Sequence, residues 1–107
     1  MINEKKVFGL LGLATRAGKV SFGAEMCEEQ INKNKIKFVI IASNASERTK
    51  KRFIELCNKK NIKFIEFGKI EDLSKAIGKE NKAIIGIKDI NFKNAILKII
   101  DGGELIG

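Results

Sequence analysis

Five residues near the centre of the chain, Phe38-Val39-Ile40-Ile41-Ala42, form an unbroken apolar run rich in β-branched side chains. Such a run marks a central strand covered on both faces, because a strand with one wet face would carry polar residues at every second position. A chain with a strand of this kind must cover two faces. The segments around the run read as helices, which limits the fold to a sheet held between helical layers.

The rest of the chain supplies those layers. Residues 4–15 predict a first helix, with Asn3 as its cap and Glu4 complementing its dipole. Val7, Phe8, Leu10, Leu11, Leu13 and Ala14 leave little polar surface on it, which predicts a largely buried helix. Residues 19–22 predict a short strand. A second helix over 23–33 places Ala24, Cys27 and Ile31 on one face, and Asn34 suits its C-terminal cap. Beyond the central strand, Ser46 is suited to cap a third helix that runs to about residue 60 and buries Phe53, Ile54, Leu56 and Cys57. Residues 62–67 and 83–87 predict two more strands. Ile70, Leu73 and Ile77 mark a fourth helix, stopped by Gly78. Asn91 is expected to cap a last helix that turns Phe92, Ala95, Ile96, Ile99 and Ile100 inward and stops at Gly102-Gly103, before a short tail over 104–107. Four strands alternating with five helices predict an α/β fold, a three-layer α/β/α sandwich in a single domain over 1–107 with its core at about 4–101.

At 107 residues with 44% hydrophobic content, the chain is long and apolar enough for one real core. Its net charge of +8 is large for this size and points to a polyanionic partner, although lysine richness also serves solubility. The two cysteines, Cys27 and Cys57, sit at helical spacing among apolar residues, and the chain has no histidine. That spacing predicts two buried free thiols and no metal site. General acid–base chemistry would fall to carboxylates, lysines or a thiolate. The carboxylates are scattered on helical faces near lysines, and neither GxGxxG nor GxxxxGK[ST] occurs, so the expectation is a protein without enzymatic activity or cofactor. Lys5-Lys6 before the apolar stretch 7–14 faintly resembles a signal peptide. The stretch is too short to span a bilayer and Arg16 stands where cleavage would occur, so a cytoplasmic, non-membrane protein is expected.

The stretch from Leu10 to Gly23 passes from helix to turn to strand to helix within fourteen residues. The reading places the N-terminus of the second helix, with its unpaired N–H groups, beside Arg16 and Lys19. Lys35 and Lys37 before the central strand, and Lys79 and Lys82 before the last strand, would join them if all these loops met at one end of the sandwich. The run Arg48-Lys50-Lys51-Arg52 is a candidate second patch or simply a solvated helical face. Without tyrosine or tryptophan, and with most of its seven phenylalanines in core positions, the chain is a poor candidate for an aromatic stacking platform. Recognition would rest on RNA shape, backbone N–H groups and polar side chains.

LGLATRAGKV over 11–20, a glycine opening the next helix at Gly23, FVIIASNAS over 38–46 and LSKAIG over 73–78 together resemble the bacterial YlxQ proteins. These are members of the ribosomal protein superfamily typified by L-seven-Ae and L-thirty-e. The resemblance spans about residues 5–100. It implies an α/β/α sandwich with a four-stranded mixed sheet and binding to kink-turn RNA, a sharply bent helix whose bend carries tandem sheared G·A pairs. It implies an RNA face made of residues 23–29, 43–46 and 78–82, which includes Gly23, Ala24, Glu25, Met26, Glu29, Ser43, Asn44, Gly78, Lys79, Glu80, Asn81 and Lys82. The family's helix motif, Gly-x-Asn-Glu-x-x-Lys, is matched at Gly23. It is replaced by Glu25 and Met26, and reversed in charge at Glu29. Glu25 is still able to accept hydrogen bonds from guanine edges, Met26 is not, and Glu29 would repel phosphates where lysine attracts them. The leading expectation is therefore a monomeric, non-catalytic RNA-binding protein of a ribonucleoprotein, with structured or ribosomal RNA and ribosomal or translation proteins as partners. The alternative is a protein-interaction module on the same fold, with Met26 and the acidic trio Glu25, Glu28 and Glu29 turned toward a protein.

Overall fold

In the computed structural model, which describes residues 3–101, nine elements follow one another along the chain. They are α1 (Glu4–Arg16), β1 (Val20–Phe22), α2 (Ala24–Asn32), β2 (Phe38–Ile41), α3 (Glu47–Lys60), β3 (Lys63–Glu66), α4 (Ile70–Ala76), β4 (Ile84–Ile87) and α5 (Ile90–Ile100). The proposed stop at Gly102-Gly103 and the tail 104–107 lie outside the described residues. The strands form one mixed sheet in the order β1-β4-β2-β3. β4 runs antiparallel to both its neighbours and β2 runs parallel to β3.

The apolar run is the buried centre of this sheet. Every residue of β2 and β4 is buried, whereas Lys63 and Glu66 of the edge strand β3 are exposed. On one face α1 packs against α4 and α5, and on the other α2 packs against α3. Ser21, Gly86 and Val39 lie in register across three strands, and Ile36 and Cys27 sit directly over Gly86. This row therefore faces the α2–α3 layer, as the two-period alternation of strand side chains requires. Both thiols are buried. Burial pushes Cys27 up to about 12 and Cys57 up to about 11, so both remain protonated and unreactive at neutral pH.

Strand direction gives the sheet two chemically distinct ends. β1, β2 and β3 finish where β4 begins. There the Gly23 N–H donates to the Ile84 carbonyl (2.9 Å), Ala42 to Ala83 (2.8 Å) and Phe67 to Ile41 (3.0 Å). At the opposite end Lys88 donates to the Lys19 carbonyl (2.9 Å) and Lys37 to that of Ile87 (2.7 Å).

Three expectations need correction. The cap of α5 is Asp89, whose carboxylate accepts from the Phe92 N–H at 3.0 Å, and Asn91 already lies inside the helix. Aspartate and asparagine cap equally well, so composition alone did not choose between positions two residues apart. Second, α1 is not largely buried: Val7, Leu11 and Ala14 are, but Leu13 is 51% exposed. Its apolar residues cover more than one helical face, and the sheet covers only one. Third, Ile54 and Leu56 on α3 are half-buried, because β3 beneath them is the sheet's edge.

Candidate nucleic-acid interface

The first turn of α2 begins at Gly23, whose φ of 86° and ψ of 155° lie in a region essentially restricted to glycine. That geometry turns the chain sharply from β1 into the helix. It also leaves the helix N-terminus without a side-chain cap, so the N–H groups of its first turn are available to an outside acceptor. Lys82 lies across this glycine: a Cβ at Gly23 would stand 3.7 Å from Cδ and 3.8 Å from Nζ of Lys82. The Lys82 ammonium is also 5.6 Å from the centroid of the Phe22 ring, and the Lys79 ammonium is 4.8 Å from the same ring. Attraction to the ring face holds two cations over one aromatic side chain, immediately beside an uncapped helix N-terminus.

The loop that carries these lysines is anchored from behind. The Ser74 hydroxyl, buried on α4, accepts from the Lys82 N–H at 2.7 Å, and the Ser74 carbonyl accepts from the Lys79 N–H at 2.8 Å. Between them Gly78 and Asn81 take positive φ values of 72° and 54°, and Glu80 and Asn81 are exposed. Sequence reasoning missed both Phe22 and Ser74. The available signal for Ser74 was a polar residue beside Leu73 on a helix whose other inward residues are apolar. Phe22 was read only as strand.

Ser43 and Asn44 reach the same end of the sheet, where their polar groups tie two loops together. The Ser43 hydroxyl donates to the Gly68 carbonyl (2.8 Å), and its N–H donates to the same oxygen (2.7 Å). The Asn44 side-chain oxygen accepts from the Ile70 N–H at 2.8 Å. It thereby caps α4 from another segment, since Lys69 at the N-cap position makes no side-chain cap. The Asn44 amide also donates to Glu71 at 3.1 Å, and that bond holds the Glu71 carboxyl below its ordinary value. On α2, Ala24 is half-buried while Glu25 and Met26 are exposed, Met26 by 44%. Glu29 pairs with Lys33 at 3.0 Å along the helix surface.

The expectation that the basic loops meet at one end is not met. Lys19 and Lys37 sit at the opposite end of the sheet from Gly23, separated from it by the length of β1 and β4. A strand advances about 3.3 Å per residue, which sets Lys19 about 13 Å from Gly23. Arg16 ends α1 in the other helical layer. Its guanidinium lies back along that helix, 3.5 Å from where a Cβ on Gly12 would stand, with the Ala76 carbonyl 3.2 Å from the same point. Two cations of the basic run on α3 are engaged elsewhere: Lys50 pairs with Glu66 at 3.1 Å, and Arg52 pairs with Glu28 and lies over the Phe53 ring. Among the described residues there is no cluster of three potential metal ligands, and no helix is long and apolar enough to cross a membrane.

Comparison with known proteins follows the same outline. The profile of the family described as Ribosomal protein L7Ae/L30e/S12e/Gadd45 matches residues 5–97. The RNA-binding protein YlxQ of Bacillus subtilis (strain 168) is 31% identical over 94 residues, which cover 88% of this chain and 94% of that protein. The RNA-binding protein YlxQ of Enterococcus faecium is 34% identical over 100 residues, 94% and 96% of the two chains. Among solved structures, a Bacillus halodurans protein of unknown function superposes with a TM-score of 0.85 at 33% identity, covering 90% of this chain and 97% of that one. A Giardia lamblia 15.5kD RNA binding protein superposes with a TM-score of 0.76 at 18% identity, over 97% and 89%, a likeness of fold.

Proposed function

Because the chain belongs to the Ribosomal protein L7Ae/L30e/S12e/Gadd45 family, we propose that it is a non-catalytic RNA-binding protein that grips a sharply bent, kink-turn-like RNA with the Gly23 end of its sheet. The names of its YlxQ relatives support RNA as the ligand class. The observation that carries the reading is the convergence of Lys79 and Lys82 on Phe22, beside the uncapped N-terminus of α2. A kink brings phosphates of the two strands close together, and their repulsion must be offset by nearby donors and positive charge. Two lysines and a set of helix N–H groups, fixed relative to one another, supply that.

Glu25 and Met26 stand exposed in the first turn of α2, next to those donors. The Glu25 carboxylate is an acceptor for the amino and imino edges of guanine, and the Met26 side chain offers an apolar surface to a sugar or base. The Glu29 carboxylate is partly neutralised by Lys33, an exposed i,i+4 pair worth about 0.3–0.5 kcal/mol. Such a pair is weak enough to be rearranged by a bound phosphate. Ser43 and Asn44, both exposed, fix the loop between β2 and α3 to the start of α4.

The reading is tested by titrating the protein with a kink-turn duplex and with a control in which Watson–Crick pairs replace the tandem G·A pairs, each at two salt concentrations. Preference for the kink-turn that persists at the higher salt supports shape recognition. Equal binding that collapses with salt contradicts it, because charge alone would then account for the association.

A further inference from the structure

α1 turns a second apolar stripe away from the sheet. Gly9, Leu10 and Leu13 on α1, with Ala95 and Ile99 on α5, line an open groove of about 880 Å³, and Lys6, Arg16 and Lys98 complete its lining. Leu13 is 51% exposed there, and a Cβ at Gly9 would meet nothing within 4 Å, so the groove floor is open down to backbone. Among the described residues, Arg16 and Lys98 bring exposed positive charge to its lining. An exposed apolar floor with a polar rim marks an interaction surface. It lies on the α1–α5 layer, away from the α2 N-terminus.

We propose that this groove docks an acidic amphipathic helix of a protein partner. Three features select that occupant. The groove runs between two helices whose backbones are already internally bonded, so an added strand would find no ladder to join, whereas a helix brings its own backbone hydrogen bonds. From Lys6 to Arg16 it follows ten residues of α1, about 15 Å at 1.5 Å per residue, which accommodates about three turns with apolar anchors at i, i+3 or i+4, and i+7. The Arg16 and Lys98 side chains select carboxylates flanking those anchors. RNA fits less well, because the floor is apolar and presents no polar groups to base edges. The inference does not rest on the RNA-binding reading.

The test uses the full chain and a fluorescein-labelled, hydrocarbon-stapled 14-residue helix with leucine anchors and glutamate flanks, together with the same helix carrying lysine flanks. Fluorescence anisotropy is expected to show saturable binding of the glutamate helix and none of the lysine helix. Leu13→Glu is expected to weaken binding by about tenfold or more, as loss of a central anchor does. Arg16→Glu/Lys98→Glu, a double change at exposed positions, is expected to reverse the preference between the two helices. Lys82→Glu is expected to leave it unchanged. Thermal unfolding of each variant confirms that it is folded. The proposal is overturned if the glutamate helix does not bind, if the double variant keeps the original preference, or if a mixed-sequence single-stranded RNA displaces the bound helix.

Discussion

The two ends of the sheet carry the same kind of side chain and differ in what surrounds it. At the Gly23 end, α2, α3 and α4 all begin and their N-termini contribute partial positive charge, while the short α4, which leads from β3 to β4, also ends there. Lys79 and Lys82 follow the C-terminus of α4 and lie beside the uncapped N-terminus of α2, and Glu25, Glu47 and Glu71 occupy first turns nearby. At the Lys19 end, α1, α2 and α3 all finish. Lys59 and Lys60 in the last turn of α3 complement the negative end of its dipole, and the one helix that starts there, α5, is capped by the Asp89 carboxylate. Lysine at the Lys19 end therefore stabilises the fold. Lysine at the Gly23 end is held in place by Phe22 and Ser74 beside the uncapped N-terminus of α2, and on the proposed reading its charge meets RNA phosphate. Counting basic residues does not distinguish the two ends, whereas the contacts of Lys79 and Lys82 with Phe22 at the uncapped start of α2 do.

The largest effect expected from this difference is on RNA affinity. Lys79→Glu/Lys82→Glu is expected to weaken kink-turn binding by about tenfold per position, while Lys37→Glu/Lys88→Glu changes it by about twofold or less. Fluorescence anisotropy at fixed salt checks both, and equal losses would break the comparison. The next effect is on stability. Gly23→Ala, at a φ of 86° with Lys82 close above it, is expected to cost about 1–3 kcal/mol in urea unfolding and to weaken RNA binding as well. Gly18→Ala, at a φ of 72° in open space near the Lys19 end, is expected to cost about 1 kcal/mol and leave RNA affinity unchanged.

The smallest effect concerns the brace between the loop after β2 and the start of α4. Asn44→Ala removes the cap of α4 and is expected to cost about 1 kcal/mol in the same unfolding measurement. It also removes the bond that lowers Glu71. A carboxylate whose folded value is depressed lends stability above its unfolded value and loses it as pH falls through the folded one. In the wild type that loss begins below the ordinary 4.5, and in Asn44→Ala the Glu71 carboxyl is expected to titrate closer to the ordinary value, with a backbone hydrogen bond and Lys69 still lowering it. An NMR titration of the glutamate side chains follows it directly.

Much of this arrangement was legible in the sequence. Phe38–Ile41 declared a doubly covered strand, Ser46 and Asn3 capped the helices that follow them, and Asn34 takes the left-handed conformation expected just beyond α2. These features depend on local periodicity and side-chain chemistry, which a sequence displays. The distribution of the lysines was less legible, because it depends on which strand pairs with which and in what direction. Lys19 and Gly23 are four positions apart in sequence and lie at opposite ends of the sheet, whereas Gly23 and Lys82 are far apart in sequence and in contact. Ser74 was hidden for the same reason, since its partner is the backbone of a loop folded back onto it. Leu13 departs from the expected burial of α1 because the apolar residues of that helix cover both a core face and an open groove.

The most direct test of the contrast between the two ends is an NMR footprint of a kink-turn RNA on the ¹⁵N-labelled chain at moderate salt. The account predicts that amide shifts concentrate at residues 23–26 and 78–82, with Lys19, Lys37 and Lys88 unperturbed. Shifts centred on Lys19, Lys37 and Lys88, with Gly23 and Lys82 unmoved, would contradict it.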